Sequence, residues 1–319
     1  MTEIENYISH ISSVRRYSTR TCEIYRDSLA RFAEFCGEGF PSPDSFSVAN
    51  VRNYEIHLLD TLGESPRTVN LHLSILSGFC KYLIKRGELR QNPVHLVSRP
   101  KTPKRLPTFY REESMKDYFT STRFSSDEEA LDFFLSLPSN DKTAAELYKR
   151  RLSRLVISIL GSTGIRRSEL IALNTNSLDF ARKTLSVHGK GDKMREIPLT
   201  ASLCKEISLY LKSTAKIDNR PSDDGQPLLM TFQGKRLYPV LVDRIVKSEL
   251  SGVSGVTGRK SPHVLRHTLA SELLDDGADL NSIKELLGHS SLAATQVYTH
   301  NSVERLKKVY TIAHPRAKK

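Results

Sequence analysis

Thr184-Leu185-Ser186-Val187-His188 alternates along its length, Gly189-Lys190-Gly191-Asp192 supplies turn residues, and Met194-Arg195-Glu196-Ile197-Pro198-Leu199 runs back. Period-two alternation interrupted by a glycine-rich turn is the signature of a β-hairpin. Outward from it the apolar pattern is helical. Leu152, Leu155, Val156, Ile159 and Leu160 mark one buried helix, Leu170 to Leu173 belong to a short one, and helices dominate again from Ala201. The expected class is therefore mainly α with a small antiparallel β-sheet in the second of two domains.

The first hundred residues read as helices. Ser18-Thr19-Arg20-Thr21 opens with capping-type residues, and Tyr25, Leu29, Phe32 and Phe35 follow at helical spacing until Gly37 and Gly39. Ser47-Val48 starts a second helix through Tyr54, Leu58 and Leu59. Ser65-Pro66 starts a third, with Leu71, Leu73, Leu76, Phe79, Tyr82 and Leu83 as its apolar set, closed by Gly87 and Asn92-Pro93. Four or so short helices with tight loops make a small bundle over residues 1–96. Residues 97–107 carry three prolines and four basic side chains, which suits an extended linker. A longer mixed domain spans 108–319. Within it, residues 121–146 read as an insertion of uncertain role.

A chain of 319 residues suits two domains. Its net charge of +12 is uneven, because residues 1–100 hold 12 basic and 11 acidic side chains and the rest of the excess lies beyond them. Such a balance fits a polyanionic partner, although a solvated basic surface would look the same. No apolar run reaches the ~20 residues of a membrane span, and the polar N-terminus lacks a secretory layout, so the expected compartment is the cytoplasm. Cys22, Cys36, Cys80 and Cys204 show no paired spacing and read as reduced.

The chemistry concentrates in six side chains. Ser261-Pro262-His263-Val264-Leu265-Arg266-His267 reads as a helix start, with Ser261 at the cap and Pro262 in the first turn. His263 and Arg266 are three apart, on one face of a terminus that already favours anions. In Thr163-Gly164-Ile165-Arg166-Arg167-Ser168-Glu169-Leu170 an arginine stands at a turn between helices, and spacing does not choose Arg166 over Arg167. Glu169 either orients that arginine or is an ordinary acidic first-turn residue, and the reading leans to the second. Lys190 sits at a hairpin tip, where an ammonium can protonate a leaving alkoxide or be merely a basic tip. His289 follows Gly288 at a helix end, and Tyr298 lies nine residues on. Alone, that tyrosine reads as a packing residue. Together the set offers cations to neutralise a phosphate and a phenol that attacks it once the charge is offset. No acidic cluster for two metals, zinc-ligand spacing or Walker-type loop appears, so neither a metal nor a cofactor is expected.

The order of Arg166, Lys190, His263, Arg266, His289 and Tyr298, with the words around them, resembles the tyrosine recombinases of the phage integrase family. The likeness is nearest the Xer subgroup and its XerC-like members, and it covers nearly the whole chain. It implies a two-domain, C-shaped DNA clamp. Residues 1–96 would form a SAM-like core-binding domain, and 108–319 the catalytic domain with a C-terminal oligomerisation helix through Val303, Leu306, Val309, Tyr310 and Ile312. The resemblance also implies roles. Tyr298 would form a 3′-phosphotyrosyl link, Lys190 would protonate the 5′ oxygen, Arg166, Arg266 and His289 would hold the non-bridging oxygens, and His263 would assist the tyrosine's proton. Partners would be a double-stranded recombination site, a homo- or hetero-tetramer with a second Xer-type recombinase, and an FtsK-type translocase, with no membrane. Arg67, Lys81, Lys85, Arg86, Lys193 and Arg195 are candidate DNA contacts. A mobile-element integrase or invertase would use the same chemistry. A non-catalytic DNA-binding or architectural protein would need the charge but not the six-residue set.

Overall fold

The computed structural model describes residues 2–38, 40–102, 109–123, 127–138, 141–189, 194–217, 225–256 and 258–288. Contacts divide the chain into two compact units, Met1–Arg105 and Leu106–Lys319. Both are built mostly of helices.

The first unit contains α1 (Glu3–Ser13), α2 (Thr19–Cys36), α3 (Val48–Ile56) and α4 (Pro66–Lys85). Each begins the same way. Thr2, Ser18, Ser47 and Ser65 have extended backbones, and each side chain accepts the N–H three residues on. That satisfies one of the amides a helix start leaves unpaired. Helix α1 was not anticipated, although Ile4, Tyr7, Ile8 and Ile11 have helical spacing, and the last three are buried. The core joins Leu29, Phe32, Tyr54, Leu58, Leu73, Leu76 and Phe79. Leu71, expected on the buried face of α4, is 48 % exposed. Two residues turn a helix by about 200°, so Leu71 and Leu73 cannot share a face. His72 goes inside instead, its Nδ1 2.7 Å from the Ser28 hydroxyl.

The second unit contains α5 (Glu112–Ser121), α6 (Glu128–Ser136), α7 (Lys142–Thr163), α8 (Arg167–Ala172), α9 (Ala201–Ser213), α10 (Pro239–Glu249), α11 (Pro262–Asp275) and α12 (Leu280–Leu287). Between α8 and α9 lies a sheet of β1 (Leu178–Asp179), β2 (Thr184–His188) and β3 (Met194–Pro198), antiparallel throughout and in that order. The expected hairpin is therefore the larger part of a three-stranded sheet. Its turn, 190–193, lies outside the described residues. Leu185, Val187 and Ile197 face the core. Helix α7 runs through the middle, burying Leu155, Val156, Ile157, Ile159 and Leu160, and packs against α9, α10 and α11.

Residues 121–146, expected as an insertion, carry part of this core. Helix α6 buries Ala130, Leu131 and Phe134 and packs against α7 and α9. Its apolar signal was obscured because Phe133 and Leu135, between and beside the buried positions, face solvent. The four cysteines are free thiols, with Cys22 and Cys80 buried. Among the described residues no helix is long and apolar enough to cross a membrane.

Candidate active site

Helix α7 ends at Gly164, whose backbone is left-handed at φ +60. A Cβ there would stand 2.7 Å from a Leu287 methyl and 3.0 Å from a Leu269 methyl, so glycine permits both the turn and the close approach of α11 and α12. The chain then turns through Arg166 into α8. Glu169, in the first turn of α8, reaches back to the Arg166 amide at 2.8 Å and to the Arg166 guanidinium at 2.7 Å. The leaning toward an ordinary first-turn acid is thereby overturned. The Glu169 side chain is only 4 % exposed and accepts a second guanidinium, that of Arg195 on β3, through both oxygens at 3.1 and 2.8 Å. Burial alone would raise its pKa. Bonds from Arg195, from the Arg166 amide and from the Arg166 side chain outweigh that and hold the carboxyl below its ordinary range.

The last carbonyls of a helix have no partner within it, and the helix end carries partial negative charge. At the end of α12 three arginines meet three successive carbonyls. Arg195 Nε donates to Leu286 O at 3.0 Å, Arg266 Nη2 to Leu287 O at 2.7 Å and Arg166 Nη2 to Gly288 O at 2.9 Å. Arg266, buried in α11, also donates to Gly164 O at 2.6 Å. Strand β3, α11 and the α7–α8 corner are thus brought to one point, where the chain goes on from Gly288 to His289. Glu169 bridges two of these three guanidinia, those of Arg166 and Arg195. Guanidinium N–H groups held in fixed orientation suit an oxyanion.

Geometry separates the two adjacent arginines. Arg166 belongs to the cluster, whereas Arg167 forms an ion pair with Asp243 of α10. His263 stands on the first turn of α11, one turn before Arg266. Partial desolvation first, then the positive charges of Arg266, Arg167 and Arg259, lower its pKa, with Asp243 acting against them, while the side chain keeps an exposed face. That direction favours the neutral imidazole, in which one ring nitrogen can accept a proton. Lys190, His289 and Tyr298 lie outside the described residues. No group of three or more His, Cys, Asp or Glu that could hold a metal occurs among the described residues.

A family model described as phage integrase family matches residues 139–305, and one described as the N-terminal SAM-like domain of phage integrases matches residues 4–87. The chain belongs to the phage integrase family. Among curated relatives, a tyrosine recombinase XerC of Chlorobaculum parvum is 34 % identical, covering 98 % of this chain and 94 % of its own. One from Bacillus subtilis is 32 % identical over 98 % and 96 %. Among solved structures, the XerH site-specific recombinase bound to a palindromic difH substrate, in a post-cleavage complex, has TM-score 0.71 at 20 % identity, covering 97 % of this chain and 83 % of that one. The Tn1549 transposon integrase in complex with transposon right end DNA has TM-score 0.67 at 19 % identity, covering 96 % and 100 %. These structures share the fold.

Of the six candidate catalytic residues, Arg166, Arg266 and, one turn from it, His263 are thus placed within one unit. The DNA-contact candidates fare differently. Arg67, Lys81 and Lys85 are exposed, and Lys81 and Lys85 line a cleft with Arg15 and Tyr17. Arg86 is exposed but held by Glu88, Tyr82 and Glu3. Lys193 lies outside the described residues. Arg195 does not point to solvent, since it is committed to Glu169 and Leu286. A signal for this stood in the sequence. Val187 pairs with Arg195 and Leu185 with Ile197, so Arg195 falls on the inward face of its strand.

Proposed function

We propose that this protein is a site-specific DNA recombinase of the Xer type, cutting and rejoining duplex DNA through a 3′-phosphotyrosine on Tyr298. The observation that carries this is the arginine cluster at the end of α12, which sets oriented guanidinia on Leu287 and Gly288, immediately before His289 in the chain. The scissile phosphate would sit against Arg166 and Arg266, with His289 completing the contacts to its non-bridging oxygens. His263, whose neighbouring arginines disfavour its charged form, would take the phenol proton as the Tyr298 oxygen bonds to phosphorus. The bond from phosphorus to the 5′ oxygen would break, and Lys190 would give that oxygen its proton. One phosphoester replaces another, so religation is the same exchange reversed.

The relatives' names support the Xer assignment. On that reading the substrate would be a double-stranded site, the task resolution of chromosome or plasmid dimers, and the working assembly a homo- or hetero-tetramer with a second Xer-type recombinase. The cytoplasm is the compartment where that substrate lies, and an FtsK-type translocase is a further partner. Residues 1–96 and 108–319 would grip DNA as core-binding and catalytic domains joined by 97–107, and the segment after Tyr298 would dock a neighbouring protomer.

Tyr298→Phe is expected to leave site binding unchanged and to abolish covalent capture on a nicked suicide substrate. Retention assays and denaturing gels measure the two separately. Adducts that persist with the phenylalanine variant would sink the assignment.

A further inference from the structure

Arg195 occupies a position that binding DNA does not explain. Its guanidinium makes both bonds to the buried Glu169 carboxylate, at 3.1 and 2.8 Å, and its Nε holds Leu286 O at 3.0 Å. Glu169 in turn holds the Arg166 amide and guanidinium. On its other side Arg195 packs against Gly288, where a Cβ would stand 3.0 Å from Nη1 and 3.2 Å from the guanidinium carbon. Arg195 also stands one pair inside the last described pair of the hairpin, His188 with Met194. One side chain therefore links the strand that follows Lys190, the carboxylate that aims Arg166, and the helix end that leads to His289.

We propose that Arg195 is a positioning residue for phosphoryl transfer. It locks Glu169 so that the Arg166 fork is aimed at the scissile phosphate, and it fixes the hairpin against the end of α12. This rests on the recombinase reading given above. A planar fork presents three separate nitrogens to the two carboxylate oxygens and the carbonyl, whereas a lysine would have to gather all three around one nitrogen.

The test uses the full chain with Arg195→Gln and Arg195→Lys, beside Arg166→Ala. Site binding and the far-UV spectrum report folding. Covalent capture on a nicked site is expected to slow on the order of 10²-fold for both Arg195 variants, the loss typical of a misplacement of about 1 Å. The deciding measurement repeats capture with a neutral methylphosphonate at the scissile position. Without a negative non-bridging oxygen, an aimed guanidinium is needed far less, so the penalties of Arg166→Ala and Arg195→Gln should shrink together. If the Arg195 penalty stays undiminished while the Arg166 penalty shrinks, Arg195 is merely structural and the proposal fails. Capture by Arg195→Lys at the wild-type rate also overturns it. If the unsubstituted protein captures neither substrate, it is the recombinase reading that fails.

Discussion

Glu169→Ala should destabilise the second unit by about 3–5 kcal/mol, the usual consequence of removing one member of a buried ion pair. The carboxylate is 4 % exposed and serves two guanidinia and a backbone amide, so its loss leaves like charges facing each other with nothing between. Arg166 and Arg195 would separate, and the end of α12 would lose its alignment with the α7–α8 corner. Capture of DNA should fall with stability, and more steeply, because Arg166 loses its aim. Chemical denaturation measures the first and suicide-substrate kinetics the second. The same group predicts a pH dependence. Its folded pKa lies below the ordinary carboxylate range, so the stabilisation is complete above that range and disappears as pH falls through the lowered value. The Glu169→Gln protein should lack this part of the acid-side loss.

Arg266→Ala is expected to remove covalent capture by 10²–10³-fold or more, the scale of losing one oriented donor to a developing oxyanion. It should also cost stability, because Gly164 O and Leu287 O both lose a buried donor, at about 1–3 kcal/mol for each group left unsatisfied. Arg266→Lys keeps the charge but not the fork. It should recover part of the stability and little of the capture rate. A thermal melt beside the kinetic assay separates the two effects. A capture rate unchanged in Arg266→Ala would remove this arginine from the phosphate site.

Much of this was legible in the chain. Caps at Ser18, Ser47 and Ser65 announced three helix starts because a hydroxyl before an apolar run has a local job to do. The hairpin was readable from period-two alternation in Leu185, Val187 and Ile197. What stayed hidden depends on contacts between distant residues. Glu169 looks like any first-turn acid until Arg195, 26 residues on, is folded against it. Arg166 and Arg167 are equivalent in sequence and are separated only when α10 brings Asp243 to one and the end of α12 brings Gly288 O to the other. Helix α6 was misread because two exposed apolar side chains blurred a buried face of three. For Arg266, sequence placed the residue on the right turn of its helix but gave no hint that its donors hold Gly164 and Leu287.

Tyr298 is expected to take the DNA. A target selected from random duplexes, nicked to trap the intermediate, would be captured by the unsubstituted protein, and the adduct digested with trypsin. Mass spectrometry should find the nucleotide on peptide 285–305, at Tyr298, joined to a 3′ phosphate. An adduct on any other residue, or one joined through a 5′ phosphate, would rule out Tyr298 as the nucleophile of a 3′-linked intermediate.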